Sequence, residues 1–179
     1  MTQVRVALAI TVLALGLSAV PAAAVGRAPA KNPTQAQIRS AVRRAERSTS
    51  LWVTINICDT RRYPNTLGIR GQMPSLGFPA WLSMKIQLNY FSATRKRFVG
   101  IPRLRPMTVR LGRSSSGLQQ DGAAFTFKPH TGLLDATVQF FWKRAGRLLG
   151  QTTLSTTGGH RDADFGSPPR FSAMQCRIR

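Results

Sequence analysis

The chain has 179 residues, with 26 Lys or Arg against six Asp or Glu and a formal net charge of +20. Two cysteines cannot build a zinc ribbon or an iron–sulfur cluster, and six scattered acids leave little for a carboxylate cage around calcium or magnesium. The length suits one domain of ordinary size.

The N-terminus reads as a secretory signal over residues 1–24. Arg5 is its only charge, the apolar run Val6 to Leu17 follows, and Ala22-Ala23-Ala24 offers the small side chains a translocation peptidase requires. The alternative is an uncleaved anchor, but a spanning helix needs about 20 apolar residues and this run reaches that only by including Pro21 and the alanines. Cleavage before Val25 leaves a strongly basic mature chain with no later stretch apolar enough to span a bilayer. Residues 25–33, small and Pro-containing, read as a tether.

A short amphipathic helix is expected over 34–48. Thr34 and Gln37 have capping-box spacing, and Ile38, Ala41, Val42 and Ala45 recur at helical spacing on one narrow face. From Leu51 the period drops to two. Leu51, Val53, Ile55 and Ile57 alternate with Trp52, Thr54, Asn56 and Cys58. Leu82, Met84, Ile86, Leu88 and Tyr90 alternate with Ser83, Lys85, Gln87 and Asn89, the cleanest half-buried strand in the chain. Shorter candidates are 67–73, 97–101, 107–111 and 123–128. Leu134, Ala136, Val138, Phe140 and Trp142 then alternate with Asp135, Thr137, Gln139 and Lys143, and Ala145-Gly146 turns the chain into a further strand over 148–156. A terminal strand is expected over 171–178. One solvated face per strand favours antiparallel sheets. The expected fold is all-β: an immunoglobulin-like antiparallel β-sandwich of about seven to nine strands over residues 50–179, with a short helix before it. A single curled barrel has the same periodicity.

An exported protein with two cysteines is expected to join them, and Cys58 and Cys176 lie in the first and last strands of the β region. The role is structural, since no Cys-x-x-Cys motif is present.

The segments Leu51 to Thr60 and Gly68 to Pro74, with the ending from Thr157-Gly158-Gly159-His160-Arg161 through Phe171-Ser172-Ala173 to Cys176, resemble an uncharacterised family of small exported proteins from high-GC Gram-positive-type bacteria. The likeness covers most of residues 50–178. It implies an exported, disulfide-closed, immunoglobulin-like β domain and brings no activity. The Cys…Trp…Cys spacing of true immunoglobulin domains is absent, because Trp142 lies far from Cys58.

Candidate chemistry is sparse. In an extended segment His160, Asp162 and Asp164 would point to one side and offer a nitrogen and two carboxylates to a metal, the basis for a hydrolase or metal-dependent enzyme. The competing reading is a polar loop whose aspartates cap backbone N–H groups. No Gly-x-Ser-x-Gly elbow occurs. A non-enzymatic protein with no cofactor is therefore expected.

Charge is the stronger signal. Arg61 and Arg62, Arg95-Lys96-Arg97, and Lys143, Arg144 and Arg147 form clusters that would attract an anionic cell-envelope polymer or another polyanion. Secreted, nonspecific nucleic-acid binding is a further alternative, because Tyr90, Phe91 and Phe98 sit beside the middle cluster.

Overall fold

A computed structural model of the chain describes residues 32–128 and 131–179. Two units are distinguished, Met1–Asn32 and Pro33–Arg179, and every element below belongs to the second. The signal over 1–24, and all of the tether except Asn32 and Pro33, lie outside the described residues.

Helix α1 (Gln35–Glu46) begins as its capping box dictates: Gln37 N–H donates to Thr34 Oγ1 at 3.3 Å and Thr34 N–H donates to Gln37 Oε1 at 2.8 Å. Its apolar stripe buries Ala41, Val42 and Ala45, while Arg39, Arg43 and Arg44 stay in solvent. An isolated helix of this length would be marginal in water, so tertiary packing holds it.

Nine strands follow: β1 (Trp52–Cys58), β2 (Thr66–Pro74), β3 (Ala80–Ser92), β4 (Arg97–Gly100), β5 (Met107–Ser114), β6 (Leu118–Thr126), β7 (Gly132–Arg144), β8 (Arg147–Ser155) and β9 (Cys176–Ile178). They form two antiparallel sheets. Sheet A has the order β1-β2-β6. Sheet B centres on the long β3–β7 pair; β4 and β5 share the far edge of β3, while β8 and β9 share the far edge of β7. Sheet B curls like a half-barrel. The β7–β8 hairpin turns on Ala145 (φ 45°) and Gly146 (φ 77°), two consecutive left-handed residues that suit the twist of a tight hairpin.

The inward parity of both sheets fills one core. Val53, Ile55, Leu67, Ile69 and Met73 come from sheet A, and Leu82, Met84, Ile86, Val138, Phe140 and Trp142 from sheet B. Trp142 is fully buried and its indole N–H donates to Pro74 O at 2.9 Å, so the largest core side chain leaves no donor unpaired. α1 closes the core at the Trp142 end, where Val42 rests on Gly150 of β8; a Cβ at Gly150 would overlap Val42 Cγ1. At the other end Cys58 of β1 bonds to Cys176 of β9, with Cα atoms 5.5 Å apart, and so ties sheet A to sheet B.

Two strand boundaries move furthest from expectation. The terminal strand shortens from 171–178 to Cys176–Ile178, because residues 171–175 make a single bridge to β1, Ile55 with Ala173, rather than a ladder. The strand expected over 123–128 begins earlier, at Leu118, since β2 supplies partners from Thr66 to Pro74 along its whole length.

The disulfide closes a loop of 118 residues, for which chain entropy gives about 4–5 kcal/mol. Cys58→Ser with Cys176→Ser is expected to lose that much in urea denaturation. Gly150→Val is expected to cost about 1–3 kcal/mol by levering α1 from β8, read as a lower midpoint in the same assay.

Candidate polyanion-binding face

The two sheets treat their outer faces differently. The outward residues at the centre of β1, with Gln72 beside them on β2, are buried. Trp52 is 4% exposed, Thr54 0%, Asn56 3% and Gln72 4%. The segment 157–173 lies over them and pairs the polar atoms of Thr54 and Asn56, while Gln72 is paired by Ser50 O and Gln120. Thr54 Oγ1 and Ser172 Oγ are 2.7 Å apart, Asn56 Nδ2 donates to Asp164 O at 2.8 Å, and the backbones of Ile55 and Ala173 exchange two 3.0 Å bonds. Gln120 Nε2 donates to Asp162 O and to Gln72 Oε1, and its own Oε1 accepts from Asp164 N–H.

His160 belongs to this covering. Its ring stacks on Trp52 with centroids 4.6 Å apart and planes 14° apart, Nε2 lies 2.8 Å from Thr157 Oγ1, and its N–H donates to Ser172 Oγ. The extended geometry that would align His160, Asp162 and Asp164 is not adopted. Arg161 N–H reaches back to Gly159 O and Ala163 N–H to His160 O, so the stretch is a run of turns. Among the described residues no three His, Cys, Asp or Glu side chains gather as a metal would require. The aspartates' backbone groups do the pairing and their side chains stay exposed.

The outer face of sheet B is bare. Directly opposed residues of an antiparallel pair share a face, so the register assembles cross-strand rows. Trp81 of β3 stands opposite Arg113 of β5 on one side and Lys143 of β7 on the other. The next outward row is Arg110, Ser83, Phe141 and Gln151, and the one after it Thr108, Lys85, Gln139 and Thr153. Trp81 is 55% exposed, and Lys143 Nζ lies 5.6 Å from the Phe141 ring centre. A shallow recess of about 250 Å³ between Lys85, Gln87, Pro106, Thr137, Gln139 and Thr153 continues the face with amides and hydroxyls. Four cations (Lys85, Arg110, Arg113 and Lys143) therefore share this surface, and among the described residues none joins a salt bridge. Its single acid is Asp135, at the end away from Trp81. Burial raises the Asp135 pKa, and the hydrogen bond from Asn89 Nδ2 opposes that rise.

The basic clusters named from the sequence do not meet. Lys143 joins the Trp81 row, Arg144 lies over the Phe78 ring at 5.6 Å, and Arg147 opens β8 in solvent. Arg95, Lys96 and Arg97 sit on the β3–β4 hairpin, eleven residues along β3 from Trp81, which at strand rise is roughly 35 Å. Arg61 and Arg62 are exposed on the β1–β2 loop, beyond Cys58. Trp81 and Lys85 are not among the site candidates of the sequence, whereas Arg110 and Arg113 fall in its basic stretch Arg103–Arg113. Parity could have found Trp81: one step before Leu82, it falls in the polar series of β3, where an aromatic ring must face outward.

No protein family matches the chain, and no curated protein does. Among solved structures it is similar to a crystal structure described as "putative beta-galactosidase from bacteroides fragilis", at 13% identity and a TM-score of 0.31 over 61% of this chain. The chain spans 16% of the length of that protein.

Burial lowers the pKa of His160 from its usual 6.5, and the Asp162 carboxylate opposes this by Coulomb attraction. The unfolded chain thus binds a proton more readily at this site than the folded one does. The resulting stability is complete above about 6.5 and is lost as the pH falls through the lowered value. His160→Phe keeps a ring over Trp52 and is expected to remove this part of the pH dependence in thermal melts between about pH 5 and pH 8.

Proposed function

We propose that this chain is an exported, non-enzymatic binding module, an immunoglobulin-like β-sandwich that holds an anionic envelope polymer on the outer face of sheet B. The observation that carries the reading is Trp81, exposed and flanked in register by Arg113 and Lys143. A flat indole offers apolar contact to a sugar ring, and a guanidinium beside it matches a carboxylate or sulfate with two parallel hydrogen bonds. The neighbouring Gln and Thr side chains supply donors and acceptors for hydroxyl groups. The ligand class is an acidic polysaccharide.

Export is supported by the signal-like residues 1–24 and by a disulfide, which persists in oxidising compartments. Among the described residues no helix is long and apolar enough to cross a membrane. The enzyme alternative on His160, Asp162 and Asp164 is weaker because those residues hold the cover of sheet A. Nonspecific nucleic-acid binding remains the competing use of the same charge, and it is decided by the partner that Trp81 prefers.

Polygalacturonate is the test ligand, with dextran as the neutral control and duplex DNA as the competing polyanion. Trp81→Ala is expected to weaken polygalacturonate binding about fivefold to tenfold with the fold intact, as loss of one aromatic contact implies. Arg113→Glu with Lys143→Glu is expected to abolish it, and raising salt from about 0.05 M to about 0.5 M to weaken the wild type steeply. Retention that ignores salt, Trp81→Ala binding like wild type, or tighter binding to duplex DNA than to polygalacturonate would each reject the reading.

A further inference from the structure

Among the described residues the core is stoppered at one end only. α1 covers the end at Trp142 and Gly150. At the opposite end, where β9 pairs with the start of β7, a cavity of about 480 Å³ lies between Tyr90, Phe91, Ile101, Phe127, Leu134 and Ile178. That volume is within the range of small-molecule sites, about 300–1,000 Å³. Among the described residues no charged side chain lines it. Hydrocarbon is the matter such walls would accept, since a polar guest would lose its hydration with little in return.

The surroundings are cationic. Arg103 directly follows the lining residue Pro102, Lys128 follows Phe127, and Arg177 precedes Ile178; all three are exposed. Arg95, Lys96 and Arg97 fill the hairpin between Phe91 and Phe98, whose rings meet edge to face at 5.5 Å. Two acids lie at this end, and both carboxylates already accept hydrogen bonds: Asp59 from Arg179 N–H and Asn65 N–H, and Asp135, which follows the lining residue Leu134, from Asn89 Nδ2. An apolar hole in a cationic setting calls for a guest that is apolar at one end and negative at the other.

We propose that this cavity binds the tail of a single-chain anionic amphiphile, a fatty-acid-like carboxylate, whose headgroup is held by Arg103 and Lys128 at the rim. The site is separate from the Trp81 face, at the far end of β3, so it stands or falls independently of the polysaccharide reading.

Gly132 gives the means of testing it. It lines the cavity, its φ is not in the left-handed region, and a Cβ there would meet no atom within 4 Å. Gly132→Phe should therefore fill the hole without straining the backbone. Calorimetric titration of the protein uses dodecanoate, decanoate and dodecyl maltoside below micelle-forming concentrations. Dodecanoate is expected to bind about tenfold more tightly than decanoate, as two extra buried methylenes imply. It should also outbind neutral dodecyl maltoside. Gly132→Phe should weaken it at least about tenfold, the size expected when the tail is excluded. Arg103→Glu with Lys128→Glu should weaken dodecanoate and spare the maltoside. Should Gly132→Phe fail to fold, Thr131→Trp, at an exposed lining position, fills the same mouth. No dodecanoate binding, equal affinity for the neutral detergent, or a folded filled variant that binds as before would overturn the proposal. Loss of dodecanoate binding with polygalacturonate binding intact marks this site, and the reverse pattern marks the Trp81 face.

Discussion

The structure depends on how β1 is enclosed. Its inward residues Val53 and Ile55 enter the core, as any half-buried strand allows, but its outward residues are buried too. Burying Thr54 and Asn56, and Gln72 beside them on β2, would be costly if their polar atoms went unpaired. The segment 157–173 and the neighbouring Ser50 carbonyl provide partners, while the Trp52–His160 stack adds apolar contact. The Cys58–Cys176 bond pins the end of this segment to the end of β1. Asp59, next to the bond, accepts Arg179 N–H first and Asn65 N–H second in importance, and both lower its pKa. The last residues of the chain are thereby held to the β1–β2 loop.

The functional asymmetry follows from that enclosure. With sheet A covered, sheet B carries the open face, and an exposed aromatic there is available to a ligand. A net charge of +20 attracts any polyanion at long range, but that field falls away with salt and selects little. Selection needs fixed geometry. Arg113, Trp81 and Lys143 have it, because three neighbouring strands hold them in one row. Loop-borne Arg61 and Arg62, and the hairpin cluster Arg95, Lys96 and Arg97, add to the field from other parts of the surface.

Much of the fold was legible in the sequence because parity is a local property. The alternation from Leu82 to Tyr90 and from Leu134 to Lys143 specifies the inner face of the central pair, and Ala145-Gly146 specifies the hairpin that follows. Helix α1 could be read from four residues and a cap. The cover over sheet A could not be read, because it depends on contacts such as Thr54 with Ser172 that are 118 residues apart. The same blindness made His160, Asp162 and Asp164 look like a ligand set. Their spacing suits a strand, but Arg161 and Ala163 turn the chain, and what matters there is the backbone carbonyls of Asp162 and Asp164. The Trp81 row was half legible. Trp81 and Phe141 both stand in polar parity, yet their cationic neighbours become visible only once β5 and β7 are in register.

Trp52 and Trp142 are buried and Trp81 is 55% exposed, so quenching of tryptophan fluorescence by a small solute such as acrylamide reports chiefly on the proposed contact residue. Quenching titrations with and without saturating polygalacturonate are the most direct measurement of the central claim. The account predicts that the polymer shields the accessible tryptophan and that Trp81→Phe removes the quenchable emission. Undiminished quenching at full polymer occupancy would contradict it, since the ligand would then be bound elsewhere.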